Sequence, residues 1–376
     1  MIIGIDGNEA NIARRVGVNQ YAFNLLQNIS LLQDELSSGD QFIVYLKEKP
    51  LPDMPKETKK FKYRILPGGG LWILTKLMPD LFLSKEKPDV FFSPSHYAPI
   101  FAPMPRVCSI MDLGYLEFSG QFTKMVFWQL KWWSAISIFV SKRIISISNS
   151  TKNDIVRHYP FAKDKIYTTA LGYDKNKFNM RISVNDVRRV AKQYSIVHDY
   201  ILYLGTLKPS KNVEGLIEAF RIVKEKKPQI KLVIAGKKGW LYKSIFEKVE
   251  RLGLTDDIIF TDFVPEEDKP GLIKGAKVFV LPSFWEGFGL DVVSAMACGV
   301  PVVVSAVGSL PEVAGGTGVL VNPKSPEDIA RGILKVLSMG KSDYNRLVSK
   351  GLARAENFSW EKTTRETLGI LEKARN

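Results

Sequence analysis

The stretch FVLPSFWEGFGLDVVSAMACGVPVVVS, residues 279–305, decides how this chain folds. An apolar strand runs into an acidic residue, Glu286, and a glycine-bearing turn at 287–289 then opens a helix. Such a turn leaves the backbone N–H groups of Gly287–Asp291 at a helix N-terminus, where they suit phosphate or sugar hydroxyls. Glu286 can accept hydrogen bonds from a sugar ring there. The alternative is a strand-to-helix connection in which the glycines serve turn geometry alone.

Short apolar strands alternate with helical patterns on both sides of this stretch. In the second half, the predicted strands begin at residues 200, 231, 258, 277 and 301, and the predicted helices cover 212–226, 241–252, 269–274 and 291–297. In the first half, the predicted strands are 1–5, 41–46, 89–93, 106–110 and 143–148, with a helix over 21–32. Strands that alternate with helices predict an α/β protein with Rossmann-like, doubly wound parallel sheets.

The length of 376 residues exceeds what one hydrophobic core usually organises, so two domains are expected. The polar stretch 174–189 is the predicted linker. It gives an N-terminal domain over 1–176 and a C-terminal domain over 177–357, with a closing helix at 358–376 that packs back on the N-terminal domain. Ligands of two such domains are expected in a cleft between them.

Composition narrows the class of protein. With 45% apolar and 24% charged residues the chain suits a soluble globular protein, and no stretch is apolar for long enough to span a bilayer. The N-terminal residues do not follow the pattern of a signal peptide, and the two cysteines, Cys108 and Cys298, lie far apart, so a cytoplasmic location is expected. The formal net charge of +14 favours anionic partners. Because the basic residues are scattered, nucleic-acid binding is disfavoured.

The segment EGFGLDVVSAMACGVPVV, residues 286–303, resembles the signature of the family 4 glycosyltransferases of GT-B fold. The resemblance implies that Glu286 contacts the sugar of a nucleotide-diphosphate donor. It also implies that a short run of backbone cradles the sugar and the diphosphate: Gly287, Phe288, Gly289 and Leu290. Ser294 stands where the family has its ribose-binding Glu. One hydroxyl cannot chelate both ribose hydroxyls, so weaker or differently arranged nucleoside binding is expected.

A second segment, GTLKPSKNVEGLIEAF at residues 205–220, supports this interpretation. A strand ends at Gly205 and Thr206, and two lysines, Lys208 and Lys211, precede a helix. Two ammonium groups at that place can neutralise a departing diphosphate. The resemblance makes Lys211 the lysine of the family's Arg and Lys diphosphate clamp. Ser210 stands at the position of the Arg, and Lys208 is expected to replace that Arg as a point charge.

Three further site positions follow from the resemblance. The loop with Phe263 and Val264 resembles the one on which such enzymes stack the nucleobase; an exposed apolar loop is the alternative. Gly17 belongs to a glycine loop that opens the first helix and lets backbone approach the phosphates. Asp112 follows a strand that ends in His-Asp in the family, with Met111 in place of the His. A thioether is a weak acceptor and no base, so the transfer geometry is expected to differ.

The resemblance implies a retaining, mannosyltransferase-like enzyme of cell-envelope polysaccharide synthesis, with Glu286, Lys211 and Asp112 as catalytic residues. Its donor is a UDP-sugar or GDP-mannose, and its acceptor a glycan, a lipid-linked saccharide or a small metabolite. No metal or other cofactor is expected, because the three histidines are dispersed and no Asp-x-Asp pair occurs. One alternative stays open, a catalytically degenerate sugar-nucleotide-binding protein. A sugar-nucleotide epimerase is disfavoured, because such enzymes use carboxylate and histidine acid/base pairs that three dispersed histidines do not supply. A dinucleotide-dependent oxidoreductase is disfavoured because no Gly-x-Gly-x-x-Gly follows the first strand.

Aromatic and basic residues interleave in the segment FTKMVFWQLKWWSAISIFVSKR, Phe122–Arg143. Rings and cations in this pattern suit the headgroup layer of a membrane, and peripheral contact with the inner face is one interpretation. The other is that the aromatic residues, which recur at helical spacing, pack under the sheet.

Overall fold

The computed structural model describes residues 1–35, 39–118, 120 and 123–375. The chain forms two compact units. Unit 1 comprises Met1–Gly172 together with Ser359–Asn376, and unit 2 comprises Tyr173–Phe358. The sequence placed the corresponding boundaries after residues 176 and 357.

Unit 1 is built on a parallel sheet. Its strands in the described ranges are β1 Ile2–Asp6, β2 Gln41–Leu46, β3 Phe61–Ile65, β4 Val90–Ser93, β5 Arg106–Ile110, β6 Arg143–Ser146 and β7 Ile166–Thr168. They pair in the order β3-β2-β1-β4-β5-β6-β7. The helices are α1 Val18–Leu32, α2 Met78–Leu83, α3 Gly114–Glu117, α4 Lys124–Val140 and α5 Asn149–His158. A π-helical turn, Ile73–Leu77, precedes α2, and a 3-10 helix, Pro160–Lys165, follows α5.

Unit 2 repeats this architecture with a second parallel sheet. Its described strands are β8 Tyr200–Leu204, β9 Lys231–Ala235, β10 Ile258–Asp262, β11 Val278–Leu281, β12 Val302–Ser305 and β13 Val319–Val321. They pair in the order β10-β9-β8-β11-β12-β13. The helices are α6 Val184–Gln193, α7 Val213–Lys226, α8 Lys243–Arg251, α9 Lys269–Lys274, α10 Leu290–Ala297, α11 Leu310–Ala314, α12 Pro326–Leu337 and α13 Lys341–Ala355.

The last helix, α14, covers Trp360–Arg375 and belongs to unit 1, where it packs on α1 and on strands β4, β5 and β6. Its apolar face includes Leu368 and Leu371, and Trp360 lies against the ring of Tyr21 at 6.4 Å between centroids. At Gly172, a Cβ would lie 2.0 Å from the backbone nitrogen of Trp360. Glycine is therefore required where the chain passes this helix.

The central strands are buried on both faces, as continuous apolar runs such as QFIVYL and VFVL predict for parallel sheets. In both units the strand order reverses next to the first strand: β1 has β4 on its far side, and β8 has β11. Ligands of doubly wound sheets bind at the carboxyl ends of the strands at this switch point. Ligand-binding residues are therefore expected in the loops after β1, β4, β8 and β11.

The predicted linker is wrong in its last part. Residues from Val184 onward form helix α6, whose N-terminus is capped by the Ser183 hydroxyl accepting from the amide of Asp186 at 3.0 Å. Val190 lies on its buried side, against α9. The other sides of α6 are mostly polar and exposed, which is why the segment resembles a linker in composition.

The aromatic segment of the first half does not lie wholly under the sheet. Trp128 and Trp132 on α4 are 48% and 60% exposed, whereas Trp133 is half-buried. Phe122, the first residue of the segment, lies outside the described residues. None of the helices in the described ranges is long and apolar enough to cross a bilayer.

Candidate functional site

Two loops meet at the switch point of unit 2. The first follows β8 and contains Gly205–Asn212, and the second follows β11 and contains Pro282–Gly289. The backbone amide of Phe284 donates to the carbonyl of Ser210 at 2.9 Å, so the loops are joined at their centres. The sequence-predicted donor residues of the two loops are thereby brought together.

The side chain of Asn212 holds the loop after β8 in place. Asn212 has a left-handed backbone, φ 53° and ψ 40°, which asparagine tolerates better than most residues. Its side-chain amide is buried and donates to the carbonyl of Pro282 at 3.0 Å and to that of Pro323 at 2.6 Å. One side chain thus ties the β8 loop to the loops after β11 and β13.

Glu286 is held by both its side chain and its backbone. Its Oε1 accepts from Lys211 Nζ at 2.5 Å and from the Ser283 hydroxyl at 2.6 Å. Its carbonyl accepts from the Ser309 hydroxyl at 2.9 Å, and a Cβ at Gly308 would come within 3.0 Å of the same oxygen. The side chains of Lys211 and Glu286 are only 19% and 11% exposed, so this ion pair is largely withdrawn from water.

Helix α10 begins beside this pair. Its N-cap, Gly289, has φ 96° and ψ 56°, and a Cβ there would lie 2.6 Å from a methyl group of Leu310. Within the described part of the chain, no group accepts a hydrogen bond from the backbone amides of Phe288, Gly289, Leu290 or Asp291. These N–H groups, the positive end of the helix dipole and Lys211 lie in one corner, an arrangement that suits an anion.

Other predicted residues of unit 2 lie around this corner with different exposures. Phe288 is buried, with its ring against Phe358 at 5.6 Å, so only its backbone is available to a ligand. Ser294 is 5% exposed on the buried side of α10. Val264 is 2% exposed and Phe263 is half-buried, so the alternative of an exposed apolar loop is wrong for Val264.

Lys208 lies on an aromatic ring. Its Nζ is 5.1 Å from the ring centroid of Trp240. Thr206, two residues earlier, has its carbonyl 3.4 Å from the hydroxyl of Tyr203. Gly205 is packed against Gly236, where a Cβ would lie 2.0 Å from the Gly205 oxygen. The role of Lys208 as a phosphate ligand stays a prediction.

Two buried groups near this corner, Tyr203 and Asp291, have raised pKa values. Burial, with Glu286 and Asp291 nearby, raises the pKa of Tyr203 well above its usual value. Burial also raises the pKa of Asp291, while the ammonium groups of Lys269 and Lys211 oppose this shift. Asp291 stands where the resembled family has Pro, and its raised pKa means that burial favours the neutral carboxylic acid there.

In unit 1 the predicted residues lie at the carboxyl ends of β1 and β5. Gly17 is the N-cap of α1 at φ 53°, and open space surrounds the position of its missing Cβ. Asp112 is exposed and accepts from the amide of Gly114 at 2.9 Å. The carbonyl of Met111 accepts from the hydroxyl of Thr151 at 3.1 Å.

Sequence reasoning missed three titratable groups at the switch point of unit 1. Asp6 ends β1 and Glu9 follows it; burial is the largest cause that raises the pKa of each. His96 follows β4, and burial lowers its pKa to about 4. Its Nε2 is buried and has no hydrogen-bond partner in the described structure. The sequence could have indicated these groups only by their position, because each lies at or shortly after the end of a strand that borders the switch point.

Among the residues that the structure describes, no group of three or more His, Cys, Asp or Glu side chains is placed to hold a metal ion.

Known proteins are similar to this chain in sequence and in fold. Residues 194–353 match the family model described as glycosyl transferases group 1. The chain is 35% identical over 235 residues to O-antigen chain mannosyltransferase B of Escherichia coli, covering 62% of this chain and 61% of that protein. It is 31% identical over 223 residues to the serotype-specific mannosyltransferase WbdA of Escherichia coli, covering 58% of this chain and 27% of that protein. The chain thus spans less than two thirds of the length of these relatives.

Among solved structures, the chain is similar to HepE of Anabaena in complex with UDP and glucose. The TM-score is 0.76 with 18% identity, and the similarity covers 99% of both chains. Together with the two parallel sheets, this gives the chain the GT-B fold and confirms the fold inferred from the sequence. The resemblance to mannosyltransferases is confirmed as well.

Proposed function

We propose that this protein is a retaining, metal-independent glycosyltransferase that transfers a hexose, with mannose as the first candidate, from a nucleotide-diphosphate sugar. Mannose is favoured because the relatives just described are mannosyltransferases by name. A nucleoside diphosphate as the leaving group is favoured because HepE was crystallised with UDP and glucose. The acceptor class that fits these relatives is a growing glycan or a lipid-linked saccharide.

One observation carries the proposal: the Lys211–Glu286 ion pair adjoins the N-terminus of α10 at the switch point of unit 2. A pyrophosphate bound at the amides of Phe288–Asp291 would meet the positive end of α10. Lys211 would supply a full positive charge. Oε1 of Glu286 accepts hydrogen bonds from Lys211 and Ser283, so Oε2 is the oxygen that would accept from sugar hydroxyls.

The reaction needs little more from the protein than orientation and charge. The acceptor oxygen attacks the anomeric carbon from the face on which the diphosphate leaves, so the new C–O bond forms as the bond to phosphate breaks. Lys211 and the α10 amides stabilise the negative charge that grows on the departing diphosphate. The acceptor proton passes to the departing phosphate oxygen, and the products are a glycoside and a nucleoside diphosphate.

We assign acceptor binding to unit 1. Glu9 and His96 follow the adjacent strands β1 and β4, and the charge of Glu9 contributes to the raised pKa of Tyr97, which places these groups near one another. A carboxylate, a neutral imidazole and an aromatic ring are the groups that bind sugar hydroxyls and sugar faces. Asp112 stays a candidate contact at the same edge of the sheet.

Thermal unfolding with UDP, GDP, ADP and their sugars tests the donor site, because a ligand that binds only the folded state raises the melting temperature. We expect one nucleotide series to stabilise the protein, and Lys211→Met to abolish that shift. Lys335→Met is the matched control, since it removes an exposed lysine from α12 with the same change of charge. An unchanged response of Lys211→Met would refute the site.

Turnover distinguishes an enzyme from a binding protein of the same fold. Slow release of free sugar from the stabilising donor, without any acceptor, is expected from an active enzyme. Removal of Lys211 should slow it by about 10²- to 10³-fold, the usual effect of losing one group that stabilises transition-state charge. Nucleotide binding with no hydrolysis and no transfer to any glycan acceptor would instead identify a degenerate binding protein.

A further inference from the structure

Helix α4 turns an apolar stripe outward. Met125, Trp128, Trp132 and Phe139 are 75%, 48%, 60% and 71% exposed. Their spacings of three, four and seven residues place them on one side of the helix. In a helix that only covers a sheet, this side would carry polar residues.

The inward side of α4 is held by polar contacts as well as apolar ones. Ser134, Ser137 and Ile138 are its buried residues. The Ser137 hydroxyl accepts from the amide of Ala98 at 2.9 Å and donates to the carbonyl of His96 at 2.6 Å. Because this inward side attaches α4 to unit 1, the outward stripe is not needed for that attachment.

Aromatic contacts join residues within the stripe and extend it to Phe161. Trp128 and Trp132 stack with 6.3 Å between ring centroids and 23° between planes. At the other end, Phe139 meets Phe161 edge to face at 6.0 Å, and Phe161 is itself 58% exposed. We call Met125, Trp128, Trp132, Phe139 and Phe161 the α4 surface. Large exposed apolar patches on soluble chains mark contacts with proteins or membranes.

Lysines border the α4 surface. Lys131 Nζ lies 4.9 Å from the ring centroid of Trp128, and Lys124, Lys142 and Lys163 are exposed nearby in the chain. Helix α4 carries no acidic residue, and Asp164 is the acidic side chain on the turn that holds Phe161. Indole rings with ammonium groups among them match the headgroup layer of a membrane that contains anionic lipid.

We propose that the α4 surface binds the interface of an anionic lipid bilayer, with its rings among the headgroups and its lysines on lipid phosphates. This proposal does not depend on the donor chemistry in unit 2. A glycosyltransferase that acts on a lipid-linked acceptor would gain from it, because its substrate would already be confined to the same surface.

Vesicle flotation of the full chain tests the proposal. We expect binding to vesicles of phosphatidylcholine with phosphatidylglycerol, weak binding to phosphatidylcholine alone, and loss of binding at high salt. Lys131→Glu should weaken partitioning by about fivefold or more, the usual effect of one charge near an anionic surface. The double variant Trp128→Ser, Trp132→Ser should weaken it by at least about tenfold.

Two controls keep the result specific. Leu31→Ser removes a 74% exposed side chain of α1, and Lys335→Glu reverses an exposed charge in unit 2. Both should bind vesicles as the unaltered chain does, and the melting temperature of every variant should be measured to show that it folds. Equal binding by the double tryptophan variant would overturn the proposal. So would a dimer in analytical ultracentrifugation that the double variant converts to a monomer, because the α4 surface would then be covered by a second copy.

Discussion

Replacing Lys211 with Met tests the ion pair on which the donor site depends. The change keeps a long side chain and removes the charge 2.5 Å from Glu286 Oε1. A largely buried carboxylate is then left with the Ser283 hydroxyl as its partner. Breaking a fully buried pair from one side costs about 3–5 kcal/mol. Because 19% and 11% of the two side chains remain exposed and one hydrogen bond persists, we expect unit 2 to lose about 1–3 kcal/mol of unfolding free energy.

A double-mutant cycle with Glu286→Gln isolates the pair. The double variant has no unpaired charge, so it should be more stable than Lys211→Met alone, with a coupling energy of about 1–2 kcal/mol. Urea unfolding gives the free energies, and amide hydrogen exchange in α7 and α10 reports on unit 2 separately from unit 1. Lys335→Met again serves as the control and should change stability by less than about 0.5 kcal/mol. Additive effects of the two single changes would refute the contact between these side chains.

Three further predictions follow from backbone geometry and burial. Gly289→Ala should lower the unfolding free energy by about 1–3 kcal/mol and weaken nucleotide binding, because φ is 96° and the new Cβ would meet Leu310 at 2.6 Å; thermal unfolding with and without nucleotide measures both effects. Burial raises the pKa of Cys108 to about 11 and that of Cys298 to about 12, so neither thiol should react with a thiol reagent in mildly alkaline buffer until urea is added. Burial lowers the pKa of His96 from 6.5 to about 4, so the unfolded chain binds the proton at a higher pH than the folded chain does. The melting temperature should therefore fall as the pH drops from 6.5 towards 4. His96→Gln should make this fall smaller.

The sequence predicted the central strands and the edge strand β10, and it missed the other three edge strands, β3, β7 and β13. Strands β2, β5 and β9 begin and end where the apolar runs predicted, because every residue after the first of each strand is buried. The missed strands β3 and β7 lie at the two edges of the unit 1 sheet. FKYRI mixes apolar and charged residues and IYT has three residues, so neither carries the continuous apolar signal of a buried strand.

The part of the candidate site that a short motif encodes could be predicted from the sequence. The contacts between residues far apart in the chain could not. Glu286, Lys211 and the glycine turn could be found because a short motif fixes their local geometry. The supporting contacts of Asn212 with Pro323 and of Ser309 with Glu286 span 111 and 23 residues, and no local pattern indicates them. The burial of His96 leaves no local signal in the sequence, because α4, which packs on it, comes about 30 residues later in the chain.

Helix α14 sets the order in which this protein can be completed. The chain makes β1 to β7 first, then all of unit 2, and only then the helix that covers α1 and three strands of the first sheet. During synthesis, the earlier half therefore waits with an uncovered apolar side until residues 360–375 leave the ribosome. A chain stopped before Trp360 would carry a finished unit 2 beside an unfinished unit 1.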